Sequence, residues 1–329
     1  MNKTAPLLIL SALFTNGVCG QTAGSFGKPI TEIFTDFHIN FNDTSKHTGF
    51  DLNRAYLGWH FIADGKISAK VIINIGTPDD LAPGSTPRRY AYCREASLIW
   101  TGEKLTFSAG ITGTRIFEFQ QRFWGKRYVA NTYQSINGYG FIADLGFVID
   151  YKFNDTWKAD ISVMNGEGYS NLQQDENLRT SIGLTITPPS GLAFRIYGDI
   201  QDSGGLWQPV GVIFAGYKNK LITIGAEVSY KSNIDCNRGH HVWGISSTGG
   251  INITERLELF TRYDYSTSVI TGNDTERWNY LNDGSFLVTG IQCTLSPYSR
   301  IALNYQGKFP YSEIQTGTDM IFINALFKF

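Results

Sequence analysis

Alternation at every second residue limits what this chain can fold into more than any other feature. Ile321, Ile323, Ala325, Phe327 and Phe329 fall on one side of an extended strand and Asn324 and Lys328 on the other, and the chain stops on the aromatic Phe329. Successive side chains of a strand point to opposite faces, so this segment has one apolar face and one wet face. The same pattern recurs along the chain. It predicts strands at 32–42, 49–62, 66–76, 90–101, 105–114, 139–153, 158–165, 178–187, 192–201, 209–218, 221–231, 241–252, 256–266, 285–295, 300–309 and 318–329. Sixteen is an even number, as a single-chain closed barrel of antiparallel strands needs.

The connections alternate too. Short turns at 63–65, 101–104, 154–157, 188–191, 219–220 and 296–299 interleave with longer polar stretches at 77–89, 115–138, 166–177, 232–240 and 267–284. A membrane barrel sorts short turns to one end and long loops to the other, whereas a soluble sandwich or propeller has no reason to do so.

Faces can be assigned strand by strand. In the third, Ile67, Ala69, Val71, Ile73 and Ile75 oppose Ser68, Lys70 and Asn74; in the ninth, Leu192, Phe194, Ile196 and Ile200 oppose Arg195, Tyr197 and Asp199. Glu258, Arg262 and Asp264 share the face opposite Leu257, Leu259 and Tyr263, and Arg300, Asn304, Gln306 and Lys308 oppose Ile301, Leu303, Tyr305 and Phe309. An Arg or Lys on the lipid face at mid-depth costs about 2–4 kcal/mol, so the charged side must be a polar lumen. The fold class is therefore all-β, a 16-stranded antiparallel transmembrane β-barrel, wide enough for an aqueous channel. Arg94 breaks the rule by sharing parity with Ala96, Leu98 and Trp100; a bulge or a place at the membrane rim would accommodate it.

Composition agrees. The aromatic share is 14% while mean hydropathy is −0.16, as expected where each strand has only one greasy side. Lys3, the apolar run from Leu7 to Phe14 and the small residues around Gly20 predict a secretory signal at 1–20 and a mature barrel at 21–329. No later stretch supplies the roughly 18 consecutive apolar residues of a membrane helix. The 28 basic residues nearly balance the 29 acidic ones, so there is no global pull toward nucleic acid. Beyond the leader the cysteines are Cys93, Cys236 and Cys293, an odd number that leaves at least one free thiol.

The chemistry concentrates in one connection. Residues 115–138 include Arg115, Phe117, Glu118, Phe119, Arg122, Phe123, Trp124, Lys126, Arg127 and Tyr128. Such an aromatic loop is expected to fold inward as the third extracellular loop, burying its rings against the wall while its basic groups narrow the pore; an outer lid or a subunit contact is the alternative. A charged ring acts within about 8 Å at physiological salt, a distance that a constriction satisfies. The expected lumen face carries Arg54, Lys70, Arg195, Arg262, Arg300 and Lys308 beside Asp36, Glu95, Asp144, Asp150, Asp160, Asp199, Glu227, Glu258 and Asp264. A mixed wall favours a transverse field over a strong preference for one sign of ion.

Catalysis has little support. His38 and His60 are expected in the lumen, yet no nucleophile with a base and an orienting group accompanies them. Cys236, His240 and His241 are ligand types, but on a loop they read as solvated groups and not as a metal site. The glycine pairs at 204–205 and 249–250 read as turn or bulge glycines.

The order of FDLNRAYLGWHF at 50–61, the aromatic strand near 90–100 with Glu95, RFWGKRY at 122–128, RYDY at 262–265 and the terminal phenylalanine resembles the phosphate-selective porin O/P family, particularly its versions in Bacteroidetes. The resemblance implies a homotrimeric outer-membrane porin with an inward third loop and a basic lumen. Arg54 and Arg262 on the wall, and Arg115, Arg122, Lys126 and Arg127 in the loop, are then the candidate constriction and anion contacts, each with the alternative of pairing with a lumen carboxylate. Lys70, Arg195, Asp199, Asp264, Arg300 and Lys308 are the expected lumen wall. The expected function is passive diffusion of small hydrophilic solutes, with anions such as phosphate favoured on this resemblance, and with no cofactor. A plugged barrel acting as a docking subunit is the alternative. Outer-membrane lipid and the barrel assembly machinery, reading Phe329, are the expected partners.

Overall fold

The computed structural model describes residues 27–41, 48–63, 65–76, 89–173, 176–272, 277–280, 282–313 and 316–329. The leader expected at 1–20 and nearly all of the connection expected at 77–89 lie outside them. Sixteen strands follow in chain order: β1 (Lys28–Asn40), β2 (Thr48–Ile62), β3 (Ile67–Gly76), β4 (Tyr90–Thr101), β5 (Leu105–Gly113), β6 (Ala143–Lys152), β7 (Trp157–Met164), β8 (Arg179–Ile186), β9 (Leu192–Ser203), β10 (Leu206–Lys218), β11 (Ile222–Ser232), β12 (His240–Asn252), β13 (Leu257–Ile270), β14 (Gly284–Ser296), β15 (Ser299–Pro310) and β16 (Thr318–Lys328). Each pairs with its sequence neighbours, and β1 pairs with β16 to close the barrel. The last residue completes the seam. Phe329 donates its N–H to the Thr31 carbonyl at 2.8 Å and accepts from the Thr31 N–H at 3.0 Å.

The apolar parity faces out on every strand discussed above. Ile182, Ile196 and Ile213 are about 60% exposed, while Arg195, Asp199, Arg262 and Asp264 on the opposite parity are buried. So much contiguous apolar surface suits hydrocarbon and not water. Toward the short turns the outward residues become aromatic, at Phe61, Trp100, Phe107, Phe153, Trp157 and Tyr298; toward the long connections they do so again, at Phe50, Trp207, Tyr230, Trp243, Phe309 and Tyr311. Two aromatic girdles with aliphatic residues between them are what lipid interfaces select. Among the described residues no helix is long and apolar enough to cross a membrane.

Bulges set the parity where alternation alone misleads. Between β3 and β4 the register moves from Ile72↔Glu95 to Ile73↔Cys93, so Arg94 is the extra residue. Its guanidinium lies 3.4 Å from Glu95 Oε2 and over the Tyr56 ring on the inner side. Between β1 and β2 the register moves from Phe34↔Arg54 to Thr35↔Leu52, making Asn53 the extra residue. An extra residue shifts everything beyond it to the other face. Asp51 thereby pairs with the inner Asp36, although its odd number matches the outward Leu57 and Trp59.

Gly204 and Gly205 are turn glycines as expected, both at positive φ, as a two-residue hairpin of the right twist requires. Several other expectations need correction. Strands β9 and β10 run up to that pair, past the ends expected at 201 and 209. Strand β13 runs on to Ile270, into the connection expected at 267–284, and residues 139–142 precede β6 instead of forming its start. Gly249 and Gly250 occupy neither a turn nor a bulge but a regular ladder of β12. A Cβ on Gly250 would come within 2.6 Å of Glu258 Oε1, so the missing side chain makes room for that carboxylate.

Candidate functional site

The stretch between β5 and β6 contains two helices, α1 (Arg115–Trp124) and α2 (Tyr133–Ile136). Helix α1 buries Ile116, Phe117, Gln120, Phe123 and Trp124, a stripe at helical spacing, and ends at Gly125 in the left-handed region with φ 66. That spacing was present in RIFEFQQRFW, but it is masked by a sequence pattern dominated by strands.

Polar contacts from this stretch reach much of the inner wall. Arg115 forks onto Asp150 of β6 at 2.9 and 2.6 Å, and its carbonyl accepts from Arg195 of β9 at 3.0 Å. Lys126 Nζ lies 2.6 Å from Glu258 Oε1 of β13. The Tyr128 hydroxyl donates to Gln292 of β14 at 2.8 Å, and Gln134 donates to Glu227 of β11 at 2.7 Å. Arg262 holds both carboxylate oxygens of Asp264 and donates to the Asn131 carbonyl. Rings fill the gaps between these bonds. Phe123 packs on Phe214 with centroids 4.8 Å apart, and Trp124 on Phe260 at 5.9 Å.

Most of the expected basic residues therefore have an acidic partner. Lys70 lies 3.1 Å from Glu95, Arg122 lies 3.1 Å from Glu118, and Arg195 forks onto Asp160 at 2.7 and 3.0 Å. Asp199 is held by Arg179, which also donates to the Tyr139 carbonyl at 2.7 Å; sequence parity gave no reason to single Arg179 out. Arg300 points its guanidinium at the Gly125 carbonyl at 3.5 Å, and Lys308 lines a cavity of about 500 Å³ beside α2.

Arg127 differs from these. It donates to the Tyr56 hydroxyl at 3.0 Å, and the same hydroxyl accepts from Arg54 at 2.8 Å. Its guanidinium lies over the Tyr56 and Phe34 rings and has no carboxylate within ion-pair distance among the described residues. Burial, and then repulsion from Arg54, lowers its pKa to about 10, which still leaves it charged at neutral pH. Arg94 also lies over Tyr56, so three guanidiniums converge on one phenol. Of these, Arg54 and Arg127 were expected, while the inward turn of Arg94 follows from the bulge.

Two cavities border this cluster. One, of about 370 Å³, is lined by Phe34, Asp36, Asp51, Arg54, Arg127 and Asn324 among others; one of about 260 Å³ is lined by Lys70, Arg94, Glu95 and the outer edge of α1. The groups at 236–241 are otherwise engaged. His241 binds the Tyr230 hydroxyl at 2.9 Å and the Thr271 hydroxyl, His240 stacks on Trp278 at 5.2 Å, and Cys236 Sγ accepts from Gln208 at 3.5 Å.

Solved structures share this architecture. The trimer form of OmpT from Vibrio cholerae is similar with a TM-score of 0.64 at 13% identity, covering 92% of this chain and 99% of that one. OmpF of Salmonella typhi in complex with daunomycin is similar with a TM-score of 0.68 at 9% identity over 92% and 98%. The chain has a porin fold. OprB of Pseudomonas putida, in its high-pH structure, is similar with a TM-score of 0.65 at 8% identity over 92% and 94%. No protein-family model matches the chain, and no curated protein matches it in sequence.

Proposed function

We propose that this protein is a bacterial outer-membrane porin through which small hydrophilic solutes diffuse passively, with anions preferred. The reading rests on how the segment occupies the barrel. Residues 114–142 are bonded to inner residues of β2, β6, β9, β11, β13, β14 and β15, and open space remains around them: cavities of about 370 and 260 Å³ along β1 to β5, about 490 Å³ toward β6 to β9 and about 500 Å³ beside α2. On this reading the segment is a constriction that lies in the lumen and narrows it, with one aqueous path along β1 to β5. Arg54, Arg94 and Arg127 flank that path, and in a narrow space of low dielectric their field acts on a passing ion with little screening.

Arg115, Arg195 and Arg262 serve in this account as braces for the constriction, because each guanidinium is already held by a carboxylate. The OmpT likeness includes a trimer form, and a homotrimer fits a barrel of this type. Reversal potentials across bilayers in a salt gradient test the ion preference. Anion selectivity that falls in an Arg127→Gln variant supports it. A cation-selective native channel would refute the preference, and folded protein that never conducts would favour a plugged docking barrel.

A further inference from the structure

The cavity of about 370 Å³ brings together charges of opposite sign that the protein leaves unpaired. Arg127 enters from the segment between β5 and β6 and rests over Phe34, 6.0 Å from the ring centroid, with no carboxylate partner among the described residues. Asp51 enters from the wall and is exposed. It pairs in register with Asp36, whose own carboxylate is occupied by Asn53 at 2.6 Å and His38 at 2.8 Å. Two carboxylates facing each other across adjacent strands repel, so Asp51 gains from any cation placed beside it. No Lys or Arg of the described residues lies within ion-pair distance of it.

The placement sets the scale of what would fit. Asp51 and Arg127 line one cavity, and the β1 residues nearest them, Asp36 opposite Asp51 and Phe34 under Arg127, have Cα atoms about 6.5 Å apart at roughly 3.2–3.4 Å per residue. An extended dipeptide spans about 7 Å from ammonium to carboxylate at roughly 3.3–3.6 Å per residue. The volume lies within the range of small-ligand pockets, roughly 300–1,000 Å³. Asn131, which also lines the space, can bond a peptide amide. We propose that this cavity is a subsite for zwitterionic solutes, short peptides above all, with the ammonium toward Asp51 and the carboxylate toward Arg127. The proposal rests on the open-channel reading, since a plugged barrel would pass no solute.

Single channels in planar bilayers test it, with glycylglycine, its N-acetylated anion and its C-amidated cation added in turn. Glycylglycine should reduce the current in a saturable way, with half-saturation at least tenfold lower than for either singly charged analogue. Asp51→Asn should erase the advantage of glycylglycine over the acetylated anion, and Arg127→Gln its advantage over the amidated cation. The exposed Asp51→Asn change leaves the fold intact, so it carries the test if Arg127→Gln misfolds. Equal block by all three solutes, or block unchanged in Asp51→Asn, overturns the subsite while the channel stands. Absence of conductance from folded native protein overturns the channel reading and the subsite with it.

Discussion

Lys126 and Glu258 form an ion pair 2.6 Å long that ties the chain just beyond α1 to the start of strand β13, with the ammonium also 5.2 Å from the Trp124 ring centroid and 5.4 Å from that of Phe260. Burial pulls the Lys126 pKa down, against the opposing effect of Glu258, so the lysine depends on that carboxylate to stay charged. Breaking a buried pair by removing one partner costs about 3–5 kcal/mol, while replacing both can be neutral. Lys126→Met should therefore cost about 3 kcal/mol in urea unfolding of the folded barrel in detergent. The double variant Lys126→Met, Glu258→Met should recover most of that loss, and additive losses would argue against a coupled pair.

Arg262 makes a different kind of brace, because its planar fork spans Asp264 and the Asn131 carbonyl at once. Lysine keeps the charge but cannot reproduce the fork. Arg262→Lys should cost about 1.5–3 kcal/mol, the scale of a hydrogen bond to a charged group. It should also raise open-channel current noise as the 125–132 turn loosens. Unchanged noise would show that the turn is held without Arg262, by packing and by the bonds of Lys126 and Tyr128.

The pH dependence follows from Arg127. Its pKa is lowered to about 10, so the guanidinium is charged at neutral pH and loses its proton as pH rises through about 10. Loss of a positive charge beside the path shifts the reversal potential toward cation selectivity. The sign for stability is opposite to that of a salt bridge. Folding disfavours the charged form, so this group adds stability as pH rises through about 10 and costs stability below it. The shift in reversal potential in native channels should exceed that in Arg127→Gln channels, and equal shifts would remove Arg127 from the selectivity account.

Much of the barrel was legible because side-chain parity is a local property. Residues 67–75 and 192–200 needed only their own order to assign faces, and Phe329 marked the seam. What failed was parity across a bulge. Asp51 looks lipid-facing by its number and turns inward only because Asn53 is an extra residue, a fact set by pairing with a strand before it in the chain. Arg94 signalled the same problem by appearing among apolar residues of like parity, and its bulge resolved it. The basic residues of 115–127 were visible, but their partners were not: Arg115 meets Asp150 and Lys126 meets Glu258 only after the barrel closes.

Gly244 supplies a steric test of the packing around α2. A Cβ there would come within 2.0 Å of the Tyr133 hydroxyl and 2.3 Å of the Tyr265 carbonyl, and the carbonyl belongs to the ladder and cannot move away. Gly244→Ala should destabilise the barrel by about 1–3 kcal/mol, the usual range for overpacking. Pairing it with Tyr133→Phe, which removes the nearer obstacle, should restore part of that loss. No restoration would place the clash wholly on the backbone.

Replacing residues 115–138 by a short glycine and serine turn tests the central claim most directly. The sixteen strands and their seam do not depend on that segment for pairing, so the barrel should still form. Single-channel recordings of the native protein should show ohmic steps, and the replaced protein should show steps several times larger. A folded native protein without steps, or a replacement whose conductance is no larger, would contradict the account.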